Sequence, residues 1–366
     1  MKIVLLEPYF SGSHKSWALG LQSYSKHQIK IISLPGKFWK WRMRGGAITL
    51  ANDFMRMNYE ADLILATDML DLTTFLSLTR VRTSNIPTAI YFHENQLSYP
   101  LPKNNNDLQN KHNRHYGFIN ICSALAADHI LYNSNYHNES FHKEGLKFLK
   151  NFPDNNELDT MNVIQNKSEV LYLGMELSKF DTYENFKKDD PLILWNHRWE
   201  YDKNPEPFFR NLFKLKEEGL NFKVALLGES FNSNPDVFEE AKVKLKDQIV
   251  HYGYCDKFSD YAKWAWMADI LPVTSNQDFF GGSVVESIYC NTYPLLPNRL
   301  TYPELLPKDL HSKHIYSDSD DLYNKLKNCI INISETRKFS QKNNFSIYDW
   351  KNIIKKYDDL FESFMN

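Results

Sequence analysis

The sequence is poor in the features that build a cross-linked, metal-stapled or membrane-bound protein. Among its 366 residues are four cysteines, Cys122, Cys255, Cys290 and Cys329. They form no CxxC pair and have no matching histidine spacing, which fits free thiols in a reducing compartment and excludes a disulfide framework or a zinc finger. No apolar run approaches the ~20 residues of a membrane span, and the opening Met-Lys-Ile-Val-Leu-Leu stops at Glu7-Pro8, too short for a signal peptide. A cytoplasmic protein without membrane attachment is the expectation. The formal net charge is only -2. That excludes non-specific coating of nucleic acid, although it leaves room for a local basic patch. Glycine is sparse too, and no GxGxxG dinucleotide fingerprint occurs. The Asp-x-Asp triplet that other sugar transferases use to hold a divalent ion is met only at Asp318-Ser-Asp320, in a polar stretch before Leu322. There it reads as a helix cap, so neither a metal nor a cofactor is expected.

What is present is enough apolar and aromatic residues for packed cores, 42% and 14% of the chain, and a length beyond one comfortable core. Short apolar runs recur, each followed by a helix-like stretch. They are Lys2–Leu6, Ile29–Leu34, Asp62–Ala66, Thr88–Tyr91, His129–Tyr132 and Val170–Leu173, then Leu192–Asn196, Lys223–Leu227, Ile249–Tyr252, Asp269–Val273 and Tyr293–Leu296. Runs of this length alternating with helices mean βαβ units and a parallel sheet buried on both faces. Two such series predict an α/β protein with two Rossmann-like, doubly wound domains. The boundaries expected are 1–180 for the first domain, a polar linker at 181–190, a second domain at 191–345, and a terminal helix at 346–366. In that helix Trp350, Ile353, Ile354, Tyr357, Leu360 and Phe361 form a stripe that predicts packing back on the first domain.

Three strand-to-helix turns carry the chemistry. After Lys2–Leu6, the loop Glu7-Pro-Tyr-Phe-Ser-Gly12-Ser13-His14-Lys15 enters a helix from about Ser16, and Gly12 and Ser13 could offer backbone N–H groups to a phosphate or sugar. After Leu192–Asn196, Arg198 and Lys203 place a planar fork and a point charge where a diphosphate would bind. After Asp269–Val273, Asp278 precedes Phe280-Gly281-Gly282-Ser283, a helix start with free amides, and Glu286 follows one turn in, placed to hold a ribose. Taken alone, the first turn suits an ordinary structural role as well, and the second and third suit a surface ion cluster and a helix cap better. A fourth segment, Lys37-Phe-Trp39-Lys-Trp41-Arg42-Met-Arg44, interleaves cations with aromatics as a surface for stacked bases and phosphates would, and His112, Arg114 and His115 form a second basic cluster.

Together, Arg198-x4-Lys203 and Asp278-x7-Glu286 resemble the family-four retaining glycosyltransferases, whose GT-B fold sets two Rossmann-like domains across a cleft. The usual first carboxylate there is Glu; Asp278 is one methylene shorter. Longer segments narrow the resemblance. The segment Glu7–Lys15, Trp39-Lys-Trp-Arg42, Phe92-His93-Glu94-Asn95-Gln96-Leu-Ser-Tyr-Pro100, His197–Lys203, Phe279-Phe-Gly281 and Tyr302-Pro-Glu304 are similar to the tRNA-queuosine alpha-mannosyltransferase family along essentially the whole chain.

The resemblance implies transfer of mannose from GDP-mannose, with retention and without a metal, to queuosine in a tRNA, the aspartate tRNA in that family. It implies His93, Arg198, Lys203 and Asp278 as catalytic residues and Gly12, Ser13, Phe280, Gly281, Gly282, Ser283 and Glu286 as further donor contacts. His14, Lys15, Trp39, Trp41, Arg42, Arg44, Glu94, Asn95, Gln96 and Arg114 are the candidates for acceptor or RNA contacts. The expected partners are a nucleotide sugar and a queuosine-containing tRNA, with no membrane and no obligate protein partner. A related transferase making a cell-surface polysaccharide or glycolipid is the alternative, and a non-catalytic nucleotide-sugar or RNA binder is the alternative from another class.

Overall fold

The computed structural model describes residues 1–99, 114–184, 189–229 and 235–365. They form two compact units, Met1–Glu176 with Trp350–Asn366, and Leu177–Asp349.

The first unit holds β1 (Lys2–Phe10), β2 (Gln28–Pro35), β3 (Leu63–Thr67), β4 (Thr88–Phe92), β5 (His129–Tyr132) and β6 (Ser168–Val170), all parallel, in the order β2-β1-β3-β4-β5-β6. Ile3–Leu6 and Leu63–Ala66 are wholly buried, as strands covered by helices on both faces must be. The order reverses between β1 and β3, and in such sheets ligands gather at the carboxyl ends flanking the reversal. Side-chain caps fix two of the covering helices. Asp71 accepts from the Thr74 amide at the start of Leu72–Thr83, and Ser134 from the His137 amide at the start of Asn135–Leu149. The edge strand β6 lies two residues earlier than the run Val170–Leu173 suggests. There the Ser168 and Glu169 backbone supplies the pairing with β5, while buried Leu171 lies beyond the strand.

The last helix, Trp350–Ser363, belongs to this unit and buries Trp350, Ile353, Tyr357 and Phe361. The Tyr357 hydroxyl accepts from Trp17 Nε1 at 3.1 Å and donates to the Tyr172 carbonyl at 2.7 Å. The Trp350 indole lies against two glycines, and a Cβ added at Gly20 or Gly174 would come within 2.0 or 2.5 Å of its ring atoms. Only hydrogen at those two positions lets the indole seat.

The second unit holds β7 (Leu192–Trp195), β8 (Lys223–Leu226), β9 (Ile249–Tyr252), β10 (Ile270–Pro272), β11 (Tyr293–Pro297) and β12 (Ile315–Tyr316), in the order β12-β11-β10-β7-β8-β9. The reversal here lies between β7 and β10. The two-residue β12 has no counterpart among the apolar runs of the sequence. Leu177–Phe180, grouped by sequence with the first domain, fall in the second unit. The cause is packing: Phe180 stacks edge-on to Phe258 at 4.9 Å, and its carbonyl accepts from Trp266 Nε1 at 2.8 Å. Asp181, expected in the linker, bonds the Tyr289 hydroxyl at 3.0 Å and pairs with Lys342 at 2.9 Å. Residues 346–349 likewise fall in the second unit, where the Asp349 carboxylate accepts from the Ser178 amide at 2.6 Å.

Candidate active site residues

In the first unit, buried polar groups converge at the ends of β1, β3 and β4. Glu7, wholly buried on β1, accepts from the Tyr9 amide at 2.8 Å and pairs with His14 Nδ1 at 3.1 Å. His14 lies on the helix Gly12–Tyr24, which begins four residues earlier than the expected Ser16. Burial acts to lower the His14 pKa, but the Glu7 charge and hydrogen bond, aided by Asp68 and Glu94, outweigh it and raise it to about 9. Asp68, just after β3, accepts from the His93 amide at 2.8 Å, and burial pushes its carboxyl far above the usual carboxylate range. The His93 ring lies 4.2 Å from the His14 ring and edge-on to Trp17 at 4.8 Å. Burial, then the charge on His14, lowers its pKa well below that of a free histidine.

His93 is 8% exposed, and its Nε2 has no hydrogen-bond partner. Asn95 is wholly buried; its Oδ1 accepts from the Leu97 and Ser98 amides, while its Nδ2 is unpartnered. Unsatisfied buried polar atoms are rare and call for a partner absent from the chain itself. Glu94 accepts from Gln96 Nε2 at 2.9 Å, and the Gln96 amide donates to Asn120 Oδ1 at 2.8 Å. Gly12 sits at φ +51° with nothing within 4 Å of where a Cβ would stand, so the start of its helix is open. Among the described residues, Glu7, His14 and His93 are the set whose donor atoms, all within 4.8 Å of one another, could surround a cation. The proton shared by His14 and Glu7 already supplies a positive charge at that place.

The second unit gathers its groups at the ends of β7 and β10. Lys203, 8% exposed, donates to the Gln277 carbonyl at 2.9 Å and to Asp278 Oδ1 at 3.0 Å, and it lies 3.4 Å from Asp202. The other Asp278 oxygen accepts from the Tyr302 hydroxyl at 2.5 Å. Burial works against the Asp278 charge, but Lys203, His197 and the Tyr302 bond outweigh it and hold its pKa below the usual value. His197 Nδ1 meets the Ser283 hydroxyl at 3.1 Å, on the helix Gly282–Tyr289, while His197 Nε2 is unpartnered. Burial, then Lys203, lowers the His197 pKa to about 4. Asn196 Nδ2 donates to the Ser283 carbonyl and the Ser287 hydroxyl, which leaves its buried Oδ1 unpartnered. Glu286 accepts from the Tyr261 hydroxyl at 2.5 Å, and burial raises its pKa to about 7. Gly281 caps the helix at φ +80°.

The structure therefore brings Lys203 and Asp278 into direct contact, and Ser283 onto His197. Arg198 instead pairs with Glu200 at 3.1 Å, both side chains partly exposed. Phe280 is buried against Tyr348, with ring centroids 5.3 Å apart, so it serves the core. Asp318 caps the helix Ser319–Ile331 by accepting from the Asp320 and Asp321 amides.

Of the surface candidates, Trp41 is 62% exposed and Phe38 76%. Trp39 packs on Tyr116 at 5.1 Å, Arg44 lies over the same ring at 5.1 Å, and Arg42 donates to the Pro35 carbonyl. Lys15 lies over Phe10 at 5.7 Å. His14, grouped by sequence with the acceptor contacts, is buried on Glu7. Arg114 opens the helix Arg114–Ala126, and His112 lies outside the described residues. Sequence reasoning passed over Asp68, Asn196, Tyr261 and the ion pair of Glu7. Their signal, a polar residue ending an apolar strand, was present at Glu7, Asp68 and Asn196.

Comparison with known proteins follows this division. The model of the tRNA-queuosine alpha-mannosyltransferase N-terminal region matches residues 2–175, and that of glycosyl transferases group 1 matches residues 179–344. A tRNA-queuosine alpha-mannosyltransferase of Drosophila melanogaster is 33% identical, covering 98% of this chain and 96% of the relative. Anabaena HepE in complex with UDP and glucose superposes with a TM-score of 0.69 at 14% identity, covering 99% of this chain and 100% of that one. Sucrose-phosphate synthase from Thermosynechococcus elongatus gives 0.70 at 12% identity, covering 99% and 98%. At such identities the solved structures speak for the fold alone, which is that of the GT-B glycosyltransferases. Among the described residues no helix is long and apolar enough to cross a membrane. The chain is a glycosyltransferase, and it belongs to the tRNA-queuosine alpha-mannosyltransferase family.

Proposed function

We propose that the chain transfers mannose from GDP-mannose to the queuosine of a tRNA, with retention at the anomeric carbon, without a metal ion and in the cytoplasm. The observation that carries this reading is whole-length similarity to a relative of that name, joined to buried polar groups left unsatisfied at strand ends in both units. An aspartate tRNA is the acceptor that the family resemblance favours.

The hard step is breakage of the bond from the anomeric carbon to the diphosphate, whose electron pair leaves with the phosphate oxygen. Lys203, held in place by Asp278 and the Gln277 carbonyl, supports a role as a preorganised cation for that developing charge, and Arg198 adds a second. The amides at Gly281, Gly282 and Ser283 suit the same anion, and Glu286 suits the ribose. In the first unit, Gly12 and Ser13 suit the donor, and the His93 ring suits a sugar hydroxyl. The queuosine hydroxyl attacks from the face the diphosphate leaves, and its proton passes to the departing phosphate oxygen. The basic, aromatic segment Lys37–Arg44 suits the RNA.

The test is incubation of the purified protein with GDP-mannose and queuosine-containing tRNA, digestion to nucleosides and mass analysis. A hexose added to queuosine is the expected product. Queuosine unchanged with GDP-mannose and with other nucleotide sugars overturns the reading.

A further inference from the structure

The buried cluster of the first unit contains more charge than a sugar contact at His93 requires. Glu7 spends both carboxylate oxygens inside the protein, one on the Tyr9 amide and one on His14. The His14 ring, 6% exposed, lies 4.2 Å from that of His93, with the rings tilted by 38°. Two imidazoles so close, out of water, do not both carry a proton charge, because the second cation would meet the first in a medium that screens little. The carboxylate decides which ring is charged, since Glu7 bonds His14. The groups facing His14 are Glu7 from β1, Asp68 beyond β3, Glu94 beyond β4 and the edge of Tyr9. Those facing His93 are His14, His137 and the rings of Trp17 and Tyr91. Acidic groups thus surround His14, whereas His93 has aromatic rings and positive charge about it. The His93 backbone is fixed at both ends, its amide on Asp68 and its carbonyl accepting from Asn133 Nδ2 at 2.9 Å.

We propose that Glu7 and His14 are positioning residues for His93: their ion pair places a fixed positive charge beside its ring and so keeps His93 an uncharged imidazole, with Nε2 left to a hydroxyl of the substrate. The step from neutral ring to substrate hydroxyl rests on the reading of His93 as a sugar contact. The charge arrangement itself does not. A neutral ring can accept from or donate to a hydroxyl according to its tautomer, whereas a cationic one only donates and would favour the phosphate over the sugar.

The experiment is a histidine-selective nitrogen NMR titration of the full chain from pH 5 to 10, with no substrate added. It is repeated on Glu7→Gln and His14→Gln, and paired with the pH profile of mannosyl transfer. In the unmodified protein, one resonance set that disappears in His14→Gln stays imidazolium beyond pH 8, and the His93 set stays neutral at acid pH where a free histidine is already charged. In Glu7→Gln the His14 midpoint falls by about two pH units or more. With that charge gone His93 takes up a proton more readily, so the acid limb of the turnover profile moves to higher pH, while KM for the donor changes less than about threefold. A purely structural role would lower the folded fraction and leave the limb where it was, and that result overturns the proposal. So does a His93 that titrates near 6.5 in the unmodified protein, which needs no variant to fold. If transfer of mannose to queuosine fails altogether, the titration still decides the charge arrangement.

Discussion

The two units present their buried polar groups in opposite electrostatic styles. In the first, reversal between β1 and β3 brings together Glu7, His14, Asp68 and His93, with the cation on a histidine that burial would otherwise neutralise. In the second, reversal between β7 and β10 brings together Lys203, Asp278 and His197, with a lysine as the cation and the histidine neutral. Both leave a histidine Nε2 unpartnered. One unit thus sets its charge by a carboxylate–imidazole pair whose cation is lost as pH rises through about 9, the other by a lysine ammonium held between two carboxylates. The same need is met by different chemical groups.

Removing the lysine should give the largest effect. Lys203→Met leaves Asp278 and Asp202 without their cation and should lower turnover about 10²–10³-fold, with a stability loss of about 3–5 kcal/mol. Nucleoside mass analysis and urea unfolding check the two parts. Turnover within a few-fold of normal would erase the contrast between the units.

Next is pH. The raised pKa of His14 contributes stability fully present below ~6.5 and lost as pH rises through about 9, on the order of 3 kcal/mol at most. The lowered pKa of His197 has the opposite sign: its contribution is present above ~6.5 and lost as pH falls through about 4. Glu286, raised to about 7, loses its contribution as pH rises from ~4.5 through 7. Urea midpoints across pH, with His14→Gln and His197→Gln, should remove the alkaline and acid losses separately.

A glycine pair sharpens the contrast in backbone terms. A Cβ at Gly228, at φ +113°, would sit 2.0 Å from the His197 carbonyl, so Gly228→Ala should cost about 2–3 kcal/mol or more. Gly12→Ala meets nothing and should cost about 1 kcal/mol from its backbone angle alone. Chemical denaturation distinguishes them, and equal losses would mean that the second unit's loop is no tighter than the first's. The smallest stability effect belongs to Trp41→Ala, within about 0.5 kcal/mol. Its affinity for queuosine tRNA should nevertheless fall about tenfold if a base stacks there.

The strands were legible because burial on both faces demands uninterrupted apolar runs, and Leu192–Trp195 or Leu63–Thr67 could be little else. The Gly281-Gly282 helix start was equally plain. Less visible was anything decided by distant residues. Lys203 and Asp278 are 75 positions apart, and spacing gives no hint that they touch. His14 looked like an exposed loop residue because its partner, Glu7, sat within an apparent turn. In fact β1 continues through Phe10 and the helix begins at Gly12, which carries both side chains inward. Phe180 left the first unit because two aromatic neighbours 78 and 81 positions later offered it a better seat.

The Trp350 indole, lodged against Gly20 and Gly174, has a consequence for biosynthesis. The first unit is finished by residues that follow the whole of the second in the chain. On the ribosome, the Gly20 and Gly174 surfaces and the Trp17 and Tyr91 rings that Tyr357 meets must therefore wait, uncovered, while the second unit is translated. The second unit, continuous from Leu177 to Asp349, can close first, and the final helix then docks as the latch that completes the earlier-made half.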